Sequence, residues 1–133
     1  MDERTRDLVT RCTRASDDGS QNFPQIVAAL SEAGVERYHT DLERAEKTYY
    51  LPNGESHVVS AAHGARGVAR EFSAQSVERA IRQSQAGAIT YAQFCDAVMD
   101  AGCVAYLVSI VGRRVVYYGR TGEAHVEPFP SVR

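Results

Sequence analysis

Along this chain the apolar residues change spacing from helical to alternating, and they do so twice. In residues 3–15, Leu8, Cys12 and Ala15 recur at i, i+4 and i+7, and in 73–84 Val77, Ala80, Ile81 and Ser84 follow the same period. A stronger stripe comes next in each half: Phe23, Ile26, Val27 and Leu30, then Tyr91, Phe94, Cys95 and Val98, each at i, i+3, i+4, i+7. That spacing puts four apolar side chains on one face of a helix. Asn22 and Thr90 each stand three residues before a glutamine, Gln25 and Gln93, where a cap and a returning side chain satisfy free backbone N–H groups. Pro24 falls in the first turn, where its missing donor costs nothing, and Gly34 and Gly102 supply the positive φ that ends a helix.

The period then drops to two. Residues 35–42 alternate, with Glu36, Tyr38, Thr40 and Leu42 on one side and Val35, Arg37, His39 and Asp41 on the other, as a strand with one buried face requires. The matching stretch 103–111 is apolar on nearly both faces, which places it in the middle of a sheet or beneath an interface. Strands follow at 46–51 and 114–118. Asn53-Gly54 is a hairpin signal because both residues tolerate positive φ, and short third strands are expected at 56–60 and 124–127.

The recurrence is literal. Sliding the sequence by 68 positions lays residues 5–59 on 73–127 without a gap, and sixteen of those 55 positions are identical. Unrelated segments share about four. TYYLPNGESHV at 48–58 returns as VYYGRTGEAHV at 116–126. The reading is an internal duplication of an α-α-β-β(-β) unit. The two copies are joined by a Gly/Ala-rich connector at 60–72 that carries His63, Arg66 and Arg70, and an irregular tail follows. Two such units bury their apolar faces together as one α+β domain over 1–133, an antiparallel sheet packed against helices.

Bulk properties narrow the function. Net charge is −2 with a pI near 6.1, which supplies no global attraction to nucleic acid or anionic lipid. No apolar run approaches the roughly twenty residues of a spanning helix, and MDERTRDLV lacks the apolar stretch of a secretory signal. Three cysteines without a CxxC fit a reducing compartment. The expectation is a cytoplasmic protein without membrane contact.

The blocks FPQIVAALSEAGVERYHTDL, YYLPNGES, YAQFCDAVMDAGCVAY and GRRVVYYGRTGEAHVEPFP resemble the YbcV/YdfO-like family of small bacterial and prophage proteins, whose members often carry the label "phage envelope protein". The resemblance runs over about 9–130. It implies a YdfO-like α+β fold and a cytoplasmic accessory or stress-related role, and it brings no activity, cofactor or catalytic residue with it.

Candidate chemistry comes from what the copies share. Glu55-x-His57 and Glu123-x-His125 set a carboxylate and an imidazole on one side of a strand in each copy. Brought together, the four side chains suit zinc or another divalent ion, or a carboxylate-oriented imidazole base. Apart, they are turn and strand-edge residues. Tyr49/Tyr50 and Tyr117/Tyr118 are adjacent on strands, so one ring of each pair enters the core. The outward rings, Tyr50 and Tyr118, are candidates for a ligand or partner platform, together with His57 and His125. Arg11, Arg14, Arg79 and Arg82 give the first helices a basic edge that either meets phosphates or is solvated and paired with acids such as Glu78. Cys12, Cys95 and Cys103 correspond to Ala80, Val27 and Val35, which marks them as core fillers.

The functional expectation is a non-enzymatic accessory domain that binds a protein partner or small ligand, with a homodimer as one option and without a cofactor. Two alternatives stand beside it: a metal protein or hydrolase-like enzyme built on the paired Glu-x-His, and a nucleic-acid-associated regulator, which the net charge disfavours.

Overall fold

A computed structural model describes residues 1–64 and 66–130. Ala65 of the connector and the tail residues 131–133 lie outside the described residues, and the expectation of an irregular tail falls partly on them. The elements run α1 (Glu3–Asp18), α2 (Phe23–Glu32), β1 (Arg37–Asp41), β2 (Glu46–Tyr50), β3 (Ser56–Ser60), α3 (Ala74–Gln85), α4 (Tyr91–Asp100), β4 (Cys103–Ser109), β5 (Arg114–Gly119) and β6 (Ala124–Pro128). The fold is α+β, and the order α-α-β-β-β occurs twice.

Local signals act where the residues place them. Asn22 and Thr90 cap α2 and α4 through full capping boxes, with Gln25 and Gln93 closing back onto the cap N–H groups. α1 runs three residues beyond the apolar stripe that announced it, because Ala15 to Asp18 are tolerated in a helix until Gly19 turns the chain at φ 74°.

All six strands form one antiparallel sheet in the order β3-β2-β1-β4-β5-β6. The halves meet where β1 pairs with β4, from Arg37 opposite Ser109 to Asp41 opposite Ala105. His39 therefore faces Leu107, its own counterpart 68 positions along. The outer pairings coincide under the same shift: Tyr49 opposes His57 as Tyr117 opposes His125, and Tyr38 opposes Tyr49 as Tyr106 opposes Tyr117. Even the turns agree, since Ala45 and Arg113, at equivalent positions, take φ 53° and 54°.

The helices cover one face of the sheet. Tyr38, Thr40, Lys47 and Tyr49 from the first half and Tyr106, Val108, Val115 and Tyr117 from the second are buried there, against Val9, Leu30, Val77, Phe94 and Val98. The doubly apolar stretch at 103–111 becomes β4, a central strand, so burial within the sheet accounts for part of its composition. The opposite face is uncovered. Among the described residues no helix is long and apolar enough to cross a membrane.

Candidate functional site

The two Glu-x-His pairs are held far apart. β3 and β6 are opposite edges of the sheet, so His57 and His125 are separated by five strand spacings, about 24 Å. Within each pair the partners also differ from the expected ones. Glu55 accepts from the Met1 ammonium and from Asn53 Nδ2 at 2.8 Å, which holds its carboxyl below the usual range. Glu123 accepts from the Thr121 hydroxyl. His125 Nε2 donates instead to Glu127 Oε1 at 3.3 Å, and Arg82 Nη1 donates to Glu127 Oε2 at 2.8 Å. Burial raises the Glu127 carboxyl, but Arg82 and His125 outweigh it and the net shift is downward. The four-ligand set Glu55, His57, Glu123 and His125 is not assembled within one chain, and among the described residues no cluster of three or more metal-ligating side chains forms. The cause is topological: joining the halves through β1 and β4 sends the third strands outward.

The basic residues are similarly dispersed. Arg11 lines a shallow cleft between α1 and α2 with Arg4 and Glu32, while Arg79 and Arg82 border a second depression along α3. Arg82 is paired with Glu78 as well as with Glu127.

The tyrosines divide as their adjacency requires. Tyr49 and Tyr117 are buried, and Tyr50 and Tyr118 lie half-exposed on the uncovered face. The Arg37 guanidinium stacks 4.1 Å from the centre of the Tyr50 ring, and the Tyr118 hydroxyl is 2.8 Å from His39 Nε2. Desolvation raises the Tyr118 phenol. Between them a single register row crosses all six strands: Val58, Thr48, His39, Leu107, Val116 and Val126. Val58 and Val126, at its ends, are 50% and 48% exposed. The row on one side carries Arg37 and Arg114, and the row on the other carries Asp41 and Glu46. This face gathers the largest set of exposed apolar and aromatic groups on the sheet.

Beneath the sheet lies a polar cluster that the sequence did not announce. Lys47 on β2 is 2% exposed. Its ammonium sits 4.5 Å from the centre of the Tyr91 ring and 5.6 Å from that of Tyr38, and among the described residues it forms no ion pair. Desolvation lowers it to about 8, against the weaker pull of Cys95 and Asp17. Three buried polar atoms without hydrogen-bond partners lie around it: Thr40 Oγ1, directly opposite Lys47 in the sheet, Asp17 Oδ1 and His63 Nδ1. His63 Nε2 donates to the Leu42 carbonyl at 3.0 Å, which leaves Nδ1 as a bare acceptor in the neutral ring. Tyr91 and Tyr106 share a hydrogen bond of 2.6 Å at the margin of this cluster.

The other half is apolar at several of these positions. Under the 68-residue shift, Thr13, Thr40, Lys47, Tyr91 and Cys95 fall on Ile81, Val108, Val115, Phe23 and Val27 in the other half. The identical pairs of the two halves include the edge-strand residues His57 and His125, Val58 and Val126. The signal for this cluster lay in the unequal pairs, a polar residue against an apolar one at a position of inward phase.

Cys95 and Cys103 are pushed up by burial to about 11 and about 12, and Cys12 is raised in the same way. All three are free, buried thiols with the character of core fillers.

Among curated proteins none matches the chain. Residues 15–127, which run from the end of α1 into β6 and so reach both halves, match the model of a protein family of unknown function, DUF1398, and the chain belongs to that family.

Proposed function

We propose that this chain is a non-enzymatic binding domain whose recognition surface is the uncovered face of its sheet, and whose partner is a protein. The observation that carries this reading is the row from Val58 to Val126 with Tyr50 and Tyr118 beside it. Apolar and aromatic groups on a rigid, hydrogen-bonded platform are what protein interfaces are made of, and a contiguous exposed patch of this kind marks one. The Glu-x-His alternative has no such support, because a reaction needs its groups within hydrogen-bond reach of one substrate. A cytoplasmic accessory role fits an acidic chain with three free thiols. The YbcV/YdfO-like resemblance, with its bacterial and prophage setting, and the origin of the two halves by duplication belong to the same proposal.

The test is comparative affinity capture. Val126→Lys and Val58→Lys sit at half-exposed positions and leave the core untouched, whereas Arg11→Glu alters the helix side. The reading expects captured proteins to be lost with the two valine variants and kept with Arg11→Glu. Loss confined to Arg11→Glu would move the working surface to the helices and sink it.

A further inference from the structure

We infer that the occupant of the uncovered sheet face is a second copy of this chain, joined face to face about a two-fold axis parallel to the Val58–Val126 row. The inference rests on the proposed function and names the partner at that surface. The argument is one of charge and area. The central row is uncharged apart from His39, and its ends are half-exposed valines. The flanking rows are opposite in sign: Arg37 and Arg114 on one side, Asp41 and Glu46 on the other.

An axis along the row lays the apolar row of each copy on that of its partner and reverses the strand direction. Each Arg37 then stands over Asp41 of the other copy, and the arginine row of each protomer meets the acidic row of its mate. An axis along the strands does the reverse, gathering four arginines on one flank and four carboxylates on the other. Like charges across an interface are costly, so the pattern selects the first arrangement. A C2 contact of this kind is isologous, so each Arg37–Asp41 contact occurs twice.

Six strands and five residues per strand give a projected face of roughly 500 Å² per copy, or about 1,000 Å² for the pair. That reaches the lower end of specific interfaces. Arg37 and Asp41 already make contacts at home, with Glu36 and with the Arg44 backbone N–H, so their pairing across the interface orients more than it binds. The expected dimer is accordingly weak, forming at roughly tens to hundreds of micromolar.

Sedimentation equilibrium between a few micromolar and one millimolar tests it, with circular dichroism confirming that each variant is folded. The wild type is expected to dimerise over that range. Val126→Lys and Arg37→Asp should each weaken the dimer at least tenfold, and Arg37→Asp combined with Asp41→Arg should recover most of the Arg37→Asp loss. Intramolecular repair cannot produce that recovery, since the two residues lie four positions apart on one strand. A monomer at one millimolar, or a dimer indifferent to Val126→Lys and to Arg37→Asp, overturns the inference. If the chain is monomeric and Val126→Lys still abolishes partner capture, the second copy falls as the occupant while the proposed function stands.

Discussion

Replacing Lys47 with methionine should make the protein more stable at neutral pH, an unusual outcome for a core substitution. The side chain is buried, its ammonium has no carboxylate partner among the described residues, and the equivalent position in the other half holds Val115. Lowering the amine from the 10.5 of an exposed lysine to about 8 corresponds to about 3 kcal/mol of penalty on the charged form. The sign follows from proton counting. Below pH 8 both folded and unfolded chains carry the charge and the full penalty applies. Between about 8 and 10.5 the folded chain gives up the proton first, so the wild type gains stability as pH rises. Methionine lacks the charge in both states. Lys47→Met should therefore exceed the wild type by up to about 3 kcal/mol at pH 7, and the gap should shrink by roughly half at pH 9.5. Absolute stability is a poor readout there. Cys95 and Cys103, raised to about 11 and about 12 from 9.0, contribute stability that is complete below pH 9 and declines above it. Urea unfolding of both proteins at matched pH cancels most of that contribution, since desolvation and not the Lys47 ammonium is the main cause of the thiol shifts. A variant less stable than the wild type at pH 7, with a difference flat across pH, would refute the reasoning and show that the ammonium is favourably bound.

Backbone geometry and burial set two further outcomes. Gly34 and Gly102 occupy equivalent helix ends with φ 86° and 88°, but a Cβ on Gly102 would stand 2.2 Å from the Glu71 carbonyl oxygen, whereas one on Gly34 meets nothing within 4 Å. Gly34→Ala should cost about 1 kcal/mol in thermal unfolding and Gly102→Ala at least twice that; equal losses would contradict the packing of the connector against α4 and β4. The three buried thiols should resist a thiol reagent in native buffer and react together on unfolding, as absorbance kinetics would record. Rapid modification of any one of them in the native state would contradict their burial.

What the sequence made legible was what local chemistry controls. The capping boxes at Asn22 and Thr90, the helix ends at Gly34 and Gly102, and the alternation that sets Tyr38 and Thr40 on one side of the strand each depend on a few neighbouring residues, and the structure has them where the spacing put them, with that side turned inward. The long-range consequence was not legible. Whether His57 and His125 meet depends on which strands join the halves, and β1–β4 pairing sends β3 and β6 to opposite edges. The same pairing places Tyr50 and Tyr118 on one continuous face, on opposite sides of its central row, an arrangement that neither half encodes alone. Lys47 was hidden for a different reason. A charged residue at an inward position of a strand contradicts the binary pattern, and only the comparison with Val115 exposes it.

The central claim, that the uncovered sheet face is the working surface, is tested most directly by methyl NMR. Spectra of valine- and leucine-labelled protein would be compared at about 20 µM and 1 mM, a span that brackets the roughly tens to hundreds of micromolar expected for the dimer. The account predicts concentration-dependent shifts at Val58, Leu107, Val116 and Val126, with Leu8, Leu30 and Val77 unmoved. Shifts centred on Leu8 and the α1–α2 cleft would contradict it, whereas a spectrum unchanged across the whole range would overturn the second copy as the occupant of that face.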